Sequence, residues 1–417
     1  MEKLKPLRFL PSLYIYQAIP YSIVMTTSVV MYQALDISAS SYAFWTSLLY
    51  LPWTIKPLWS PIIEKYGTKR EWIIWTQTAV ALLFITLAFS LKSEIFYPLS
   101  LTCFLLIAFT SASHDIACDG YYMLALNTKQ QNYFVGFRST FYRIGSMAAV
   151  GAIPILVHNI SGFVENKTEK AWLYSLIILA ITLAALMITN ALTMPHPPSD
   201  MRDCRSEGAG IYSTILKSFF SKYRVIPAML FILLYRFGEA QLSKIAPSFL
   251  LAETEKGGLE MSMDLYGIMY GTAGIIALTT GGILGGIYVA HKGLEKSLWP
   301  MALCMNIPNI AYVLLSIHQP ESCSLSVWSA IIIEQFGYGF GFTSYMLFLI
   351  HYVRNSQYKT AEYALATGIM ALGMMLPGMI SGFVADTLGY QGFFVYILIC
   401  TIPGMAVIPF LSVKEEK

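Results

Sequence analysis

Apolar residues in this chain come in long blocks, neither the alternation of a half-buried strand nor the single stripe of a soluble helix. The stretches "SLTCFLLIAF", "SLIILAITLAALMITNAL" and "FFVYILICTIPGMAVIPFLSV" are representative. Each approaches the roughly 20 apolar residues that carry a helix across a bilayer. The blocks predict twelve helices, at 9–34, 40–63, 71–91, 97–123, 133–158, 171–192, 223–250, 263–289, 295–317, 324–352, 362–384 and 388–412. The fold class expected is therefore all-α and polytopic, with twelve transmembrane helices in two six-helix bundles.

The polar positions divide the chain. "MPHPPSDMRDCRSEGAGIYSTILKSFFSKYR" is its longest polar stretch. Its Pro, Ser, Asp and Gly suit a linker, and "IYSTILKSFFSKYR" suits an amphipathic helix at the membrane surface. The expected organisation is an N-terminal bundle over 1–192, a cytoplasmic linker over 193–222 and a C-terminal bundle over 223–417. The first apolar block follows basic residues but is too long for a signal peptide and lacks a small-residue cleavage site. It is read as a retained helix.

Composition agrees. Charged residues make up only 12% of the 417, against about 25% in soluble domains. Lys and Arg then orient the helices. Arg8, Lys65, Lys69, Arg70, Arg138, Arg202, Arg205, Lys217, Lys222, Lys292 and Arg354 fall on one side with both termini, while the other side holds only Lys92, Lys167, Lys170 and Lys256. Positive residues stay in the cytoplasm, so both termini belong there, in a multi-pass protein of a cell membrane, a bacterial inner membrane by expectation. The net charge of +3 is this bias and points to no nucleic acid. Cys103, Cys118, Cys304 and Cys400 lie in apolar blocks and read as small membrane-core residues, not as a disulfide framework.

The halves echo one another. The loop after helix 2 reads Ser60-Pro-Ile-Ile-Glu64-Lys65-Tyr-Gly67-Thr-Lys69-Arg70, and the loop after helix 8 reads Gly286-Ile-Tyr-Val-Ala290-His291-Lys-Gly293. Both resemble the G-x-x-x-D-R-x-G-R loop of the major facilitator superfamily. Ser60 stands in place of the first glycine, Glu64 in place of aspartate, and Ala290 where the second copy would carry its acid. The resemblance implies a gating loop at Glu64, Lys65, Gly67, Lys69 and Arg70. It also implies alternating access around a cavity lined by helices 1, 4, 5, 7, 8, 10 and 11.

Buried ionisable residues are the candidate chemistry. Helix 4 carries "SASHDIACDGYYM", in which Asp115 and Asp119 share one face a turn apart. Charge at the bilayer centre is expensive, so this face should line a cavity or meet a cation. Lys56, Arg143, Arg236 and Lys244 are the available cations, and Arg143 on the neighbouring helix 5 is the cheapest partner. A close carboxylate pair with an alternating cation can take up and release a proton. Asp115, Asp119 and Arg143 are thus the expected proton-coupling residues. A fixed salt bridge is the other reading, and His114 lies to one side of that face. Lys56, Tyr16, Tyr122, Arg236, Glu239, Glu334 and Tyr345 are the expected solute-binding residues. Arg suits an anionic group, unless Arg236 simply neutralises Glu239 three positions on. The tyrosines offer stacking and hydrogen bonds, or anchor at the membrane interface.

Across most of the chain, "KPLWSPIIEKYG", "FTSASHDIACDGYY", "FYRIGSM", "LLYRFGEA" and "AEYALATGIMALGMMLPGMISGFVADTLGYQGFFVY" resemble the AmpG-like muropeptide permeases, with acetyl-coenzyme A and siderophore carriers similar in plan. The resemblance implies a proton-driven permease that brings an organic solute into the cytoplasm. No cofactor or metal is expected, and a monomer is the expected state. A membrane acyl- or glycosyltransferase is the rival class, but the loops are short and poor in His. No Gly-rich loop ending in Gly-Lys-Ser/Thr is present, which argues against an ATP-driven pump.

Overall fold

The computed structural model describes residues 6–126, 128–164, 167–198, 200, 210–354, 356 and 359–411. Nine stretches among these are long and apolar enough to cross a bilayer. They comprise α1 (Leu10–Ala34), α3 (Lys69–Ser90), α4 (Phe96–Ala125), α6 (167–193), α7 (Val225–Leu251), α8 (Met263–Lys292), α9 (Leu294–His318), most of α5 (128–161), and a last stretch that is really two helices. That stretch breaks at Gly389, with φ 65° and ψ 173°, into α11 (359–388) and α12 (390–406). A glycine takes this backbone at no steric cost, so the chain reverses without a loop. The interrupted α2 (39–65) and α10 (Leu325–Val353) complete the twelve expected helices.

Several helices are irregular where the sequence explains it. In α2, Pro57 cannot donate its backbone amide, and the chain tightens to a 3-10 turn over Lys56–Leu58. In α5, a π turn over Ala148–Ala152 precedes Pro154. The α1 π turn lies at Ile23–Thr27, and Thr27 Oγ1 donates to Ala149 O at 2.9 Å. A carbonyl freed by one wide turn is thus satisfied from the other. Gly145 lets α1 and α5 approach: a Cβ there would meet the carbonyl of Ile15.

The chain forms two compact units, 1–35 with 55–206 and 36–54 with 207–417. In the first, Phe9, Leu13, Tyr14, Ile73, Tyr121 and Phe134 make a buried core. In the second, Phe231, Tyr235, Met301, Tyr345 and Phe348 do so. Outward faces are apolar too, Trp75 being 72% exposed and Leu192 80%, as expected where the solvent is lipid.

Residues 36–54, the first part of α2, lie in the second unit although they precede most of the first in sequence. Small residues make this packing. Gly378 and Gly382 on α11 face Ser47 and Ala39, Tyr42 shares a hydrogen bond with Ser248, and Lys244 Nζ donates to Thr46 Oγ1 at 3.1 Å. Of the expected linker, 201–209 lie outside the described residues. The amphipathic segment folds as a helix over Gly210–Phe220 within the second unit. Beyond it, Lys222 pairs with Glu362 and donates to Tyr352 O at 3.0 Å, while Ser218 Oγ donates to Glu362 Oε1 at 2.7 Å.

Candidate functional site

In the first unit, α4 presents Asp115 and Asp119 on one face, as their spacing requires. Each has its own cation. Lys56, released by the break in α2, places Nζ 2.8 Å from Asp115 Oδ2, and Gln17 of α1 donates to Asp115 Oδ1. Arg138 of α5 pairs with Asp119. Its guanidinium lies over the rings of Tyr14 at 4.8 Å and Tyr122 at 5.6 Å. Side-chain exposure is 24% for both Lys56 and Asp115, and 32% and 45% for Arg138 and Asp119. The pairs are therefore partly open rather than sealed in the bundle.

The expected Arg143 partnership is replaced by these two. Arg143 makes no ion pair among the described residues. The cause is register. α5 is set so that Arg138 reaches Asp119 of α4. Arg143, five residues on, is displaced by about 7.5 Å and rotated about 140° around the helix.

Behind the acids lies a buried polar chain. Ser12 Oγ donates to Asn190 Oδ1 at 2.6 Å, Asn190 Nδ2 to Gln77 Oε1 at 3.2 Å, and Gln77 Nε2 to His114 Nε2 at 3.1 Å. Cys118 Sγ is 3.4 Å from that same imidazole nitrogen. The chain ties α1, α3, α4 and α6 together and uses His114 as an acceptor inside the bundle. Tyr16 belongs to this layer, its hydroxyl donating to Gln77 O at 2.7 Å and its ring 5.4 Å from His114.

The gating-loop residues divide. The side chains of Glu64 and Lys65 lie outside the described residues. Gly67 has φ 79° and Gly293, in the corresponding loop of the second half, φ 77°. The echo read in sequence is thus also an echo in backbone conformation. The backbone amides of Lys69 and Arg70 donate to Asp200 at 2.8 and 3.1 Å, so a linker acid supplies the helix-terminal anion. Lys69 Nζ donates to Ile63 O, and Arg70 reaches the carbonyls of Ala191 and Met194 at the end of α6.

In the second unit the key feature is a break in α7. Val225–Leu234 and Phe237–Leu251 are separate helical segments, and Arg236 between them has φ −105° and ψ 16°. Its side chain leaves toward α10, bonding Tyr338 Oη, with the guanidinium over Tyr338 at 5.1 Å and Phe342 at 4.8 Å. It forms no ion pair with Glu239 among the described residues, because the i, i+3 neighbourhood of a regular helix does not hold across the break. Arg236 Nε is buried without a partner. Glu334 Oε2 accepts from Gln335 Nε2 at 3.0 Å and from Tyr312 Oη at 3.5 Å. Tyr345 is wholly buried. It stacks on Tyr235 with centroids 5.2 Å apart and donates to Ile232 O at 2.7 Å, a carbonyl freed by the break.

Sequence reasoning passed over Gln17, Gln77, Asn190 and Asp200, and read Arg138 only as a cytoplasmic-side cation. A signal for its pairing existed in that Arg138 is the α5 arginine nearest in sequence to Asp119.

Residues 12–369 match the family model described as Major Facilitator Superfamily. Among curated relatives, a putative transporter AmpG 4 of Rickettsia felis is 25% identical over 380 residues, covering 87% of this chain and 86% of its own. The anhydromuropeptide permease of Escherichia coli K12 is 23% identical over 365 residues, covering 86% and 70%. Among solved structures, a bacterial homologue of the human lysosomal transporter Spinster, inward-facing and unoccupied, superposes with a TM-score of 0.73 at 13% identity, over 97% of this chain and 96% of that one. A D-xylose–proton symporter gives 0.70 at 12% identity over 98% and 96%. At such identities these two likenesses speak for the fold.

Proposed function

Because the chain belongs to the Major Facilitator Superfamily, we propose that this transporter is a proton-coupled permease that carries a muropeptide-like or other amphiphilic anionic solute into the bacterial cytoplasm by alternating access, both termini being cytoplasmic. The solute class rests on the E. coli relative, named an anhydromuropeptide permease. The coupling rests on one observation: two aspartates a helical turn apart, each matched to a different cation and each partly open. Protonating either carboxylate releases its cation, and the freed Lys56 or Arg138 becomes available to an anionic solute. Arg143 remains a second cation for either aspartate in another state. Arg236, with one guanidinium nitrogen unpartnered and an aromatic sandwich, is the anion contact of the second unit.

Proteoliposomes loaded with anhydromuropeptide test this reading. An inward proton gradient should drive uphill accumulation in the parent protein. Asp115→Asn and Asp119→Asn should abolish accumulation yet retain counterflow, which needs no net proton release. Accumulation unchanged in both variants would remove α4 from the coupling mechanism. Absence of any uptake or counterflow by the parent protein would reject the solute class.

A further inference from the structure

The linker helix Gly210–Phe220 is seated on the second unit by one side. Ser218 and Lys222 reach Glu362, a carboxylate with no exposure. Lys222 Nζ lies 4.9 Å from the centre of the Tyr352 ring, and Phe219, itself wholly buried, meets that ring edge-on with centroids 5.4 Å apart. α10 ends and α11 begins at this seat, so the roll of the linker helix about its own axis is set. What its other sides face is set with it.

Successive residues of a helix turn by about 100°, which sorts this one into three sectors. Ile215, Ser218 and Phe219 lie on the seated side. Leu216 and Phe220, a turn apart, form a second side and are 45% and 49% exposed. Thr214, Lys217 and Ser221 form a third, exposed as well. A helix between protein and water needs only a buried side and a polar one. A third, apolar and uncovered, belongs to a helix that also meets hydrocarbon. That apolar side continues along the chain: Tyr223 follows, exposed, and Ile226 and Leu230 share an exposed face of α7, one of the membrane-crossing helices.

Two cations border this side. Lys217 makes no side-chain hydrogen bond and no ion pair among the described residues. Arg224 turns the corner into α7 with a left-handed backbone, φ 55° and ψ 37°, which a residue other than glycine adopts only where its surroundings hold it. Its guanidinium lies 5.4 Å from the Tyr223 ring and donates to Phe410 O at 3.0 Å. Its other donors meet no carboxylate among the described residues. At this end of the unit Lys292, Lys296 and Arg354 are exposed too, against one exposed carboxylate among the described side chains, Glu295.

We propose that the linker helix lies in the bilayer interface and binds an acidic phospholipid of the surrounding leaflet. Lys217 and Arg224 take its phosphate headgroup, and Leu216 and Phe220 meet its acyl chains. Lys and Arg donors suit phosphate oxygens, and an acidic leaflet attracts basic residues held at its surface. The segment joining the two bundles is thereby anchored in the membrane at its second-unit end.

Two measurements on the full-length protein test this. Spin labels are placed on Thr214→Cys, Leu216→Cys, Phe220→Cys and Ser221→Cys, in a background lacking the other cysteines and in nanodiscs of phosphatidylethanolamine with phosphatidylglycerol. Relaxation by oxygen should exceed relaxation by a water-soluble nickel chelate at 216 and 220, with the reverse at 214 and 221. Equal accessibility at all four positions would put the helix in water and overturn the proposal. For the headgroup, the solubilised protein is titrated with phosphatidylglycerol and bound lipid is counted by native mass spectrometry. Lys217→Gln and Arg224→Gln should each weaken binding about fivefold, the effect of one basic residue at an acidic surface. Lys217 has no partner to lose, so its variant decides even if Arg224→Gln disturbs the corner. Lys292→Gln with Lys296→Gln removes two charges elsewhere on the same end and should leave binding unchanged. An equal loss in that control would mean diffuse charge attraction, and displacement of the lipid by millimolar inorganic phosphate would mean an anion site indifferent to lipid. Either result overturns the proposal.

Discussion

Lys56 and Arg138 are the residues that turn two partly open aspartates into a defined geometry, and they are unequal. The Lys56–Asp115 pair is the less exposed of the two and is further held by Gln17. Stranding one member of a sequestered pair costs about 3 kcal/mol or slightly less where water reaches it, whereas an open pair is worth about 1 kcal/mol or below. Lys56→Met should therefore lower the melting temperature of the detergent-solubilised protein more than Arg138→Met does. Adding Asp115→Asn to Lys56→Met should recover part of the loss, because no unpaired charge then remains. Equal melting of both single variants would contradict this ranking. At this scale the sequence told which acids sit in the membrane-spanning helices, through their placement in apolar blocks. It did not tell which bases they meet. The pairing with Arg138 depends on how α5 is set against α4 in three dimensions, and the pairing with Lys56 on a helix break that hydrophobic periodicity does not report.

The twelve elements were legible to within a few residues at most of their ends, the widest miss being 412 against 406 at the last, because a bilayer imposes both length and apolarity on every crossing. Their irregularities were less so. The break at Tyr235–Arg236 decides that Arg236 reaches Tyr338 and not Glu239, yet "LLYRFGEA" contains no proline to announce it. Close helix contacts were legible in part, through glycines. In the α8–α10 contact, a Cβ at Gly339 would run into the carbonyl of Leu278, while one at Gly286 would meet nothing within 4 Å. Gly339→Ala should then cost about 1–3 kcal/mol of stability by overpacking against backbone. Gly286→Ala should be neutral, or stabilising by up to about 1 kcal/mol through helix propensity. Thermal melting of the two variants side by side checks the contrast, and comparable losses in both would show that α8 and α10 do not meet where described.

Across the whole molecule, connectivity and packing disagree at α2. The chain assigns residues 36–54 to the first six helices, and the count of crossings in the sequence carries no hint of anything else. Packing assigns them to the second unit, through Tyr42 with Ser248, Lys244 with Thr46, and the glycines of α11. The remainder of α2, from Ile55 on, packs in the first unit, so the break around Lys56–Leu58 joins segments with different allegiances. A transporter that alternates needs some packing to be exchangeable, and a contact made of small residues and a few hydrogen bonds separates at less cost than one made of interlocked large side chains. The 36–54 segment meets that condition in part: Ser47 and Ala39 lie against Gly378 and Gly382, while Tyr42 is buried and Phe44 meets Phe383. An ideal Cβ at Gly378 lies 3.1 Å from Ser47 Cβ, a few tenths of an ångström inside the spacing of a relaxed disulfide. In a background lacking the other cysteines, Ser47→Cys with Gly378→Cys should crosslink on oxidation. The crosslink should stop counterflow, and reductant should restore it. Full counterflow in the oxidised protein would mean that α2 stays on α11 throughout the cycle and that the moving boundary lies elsewhere.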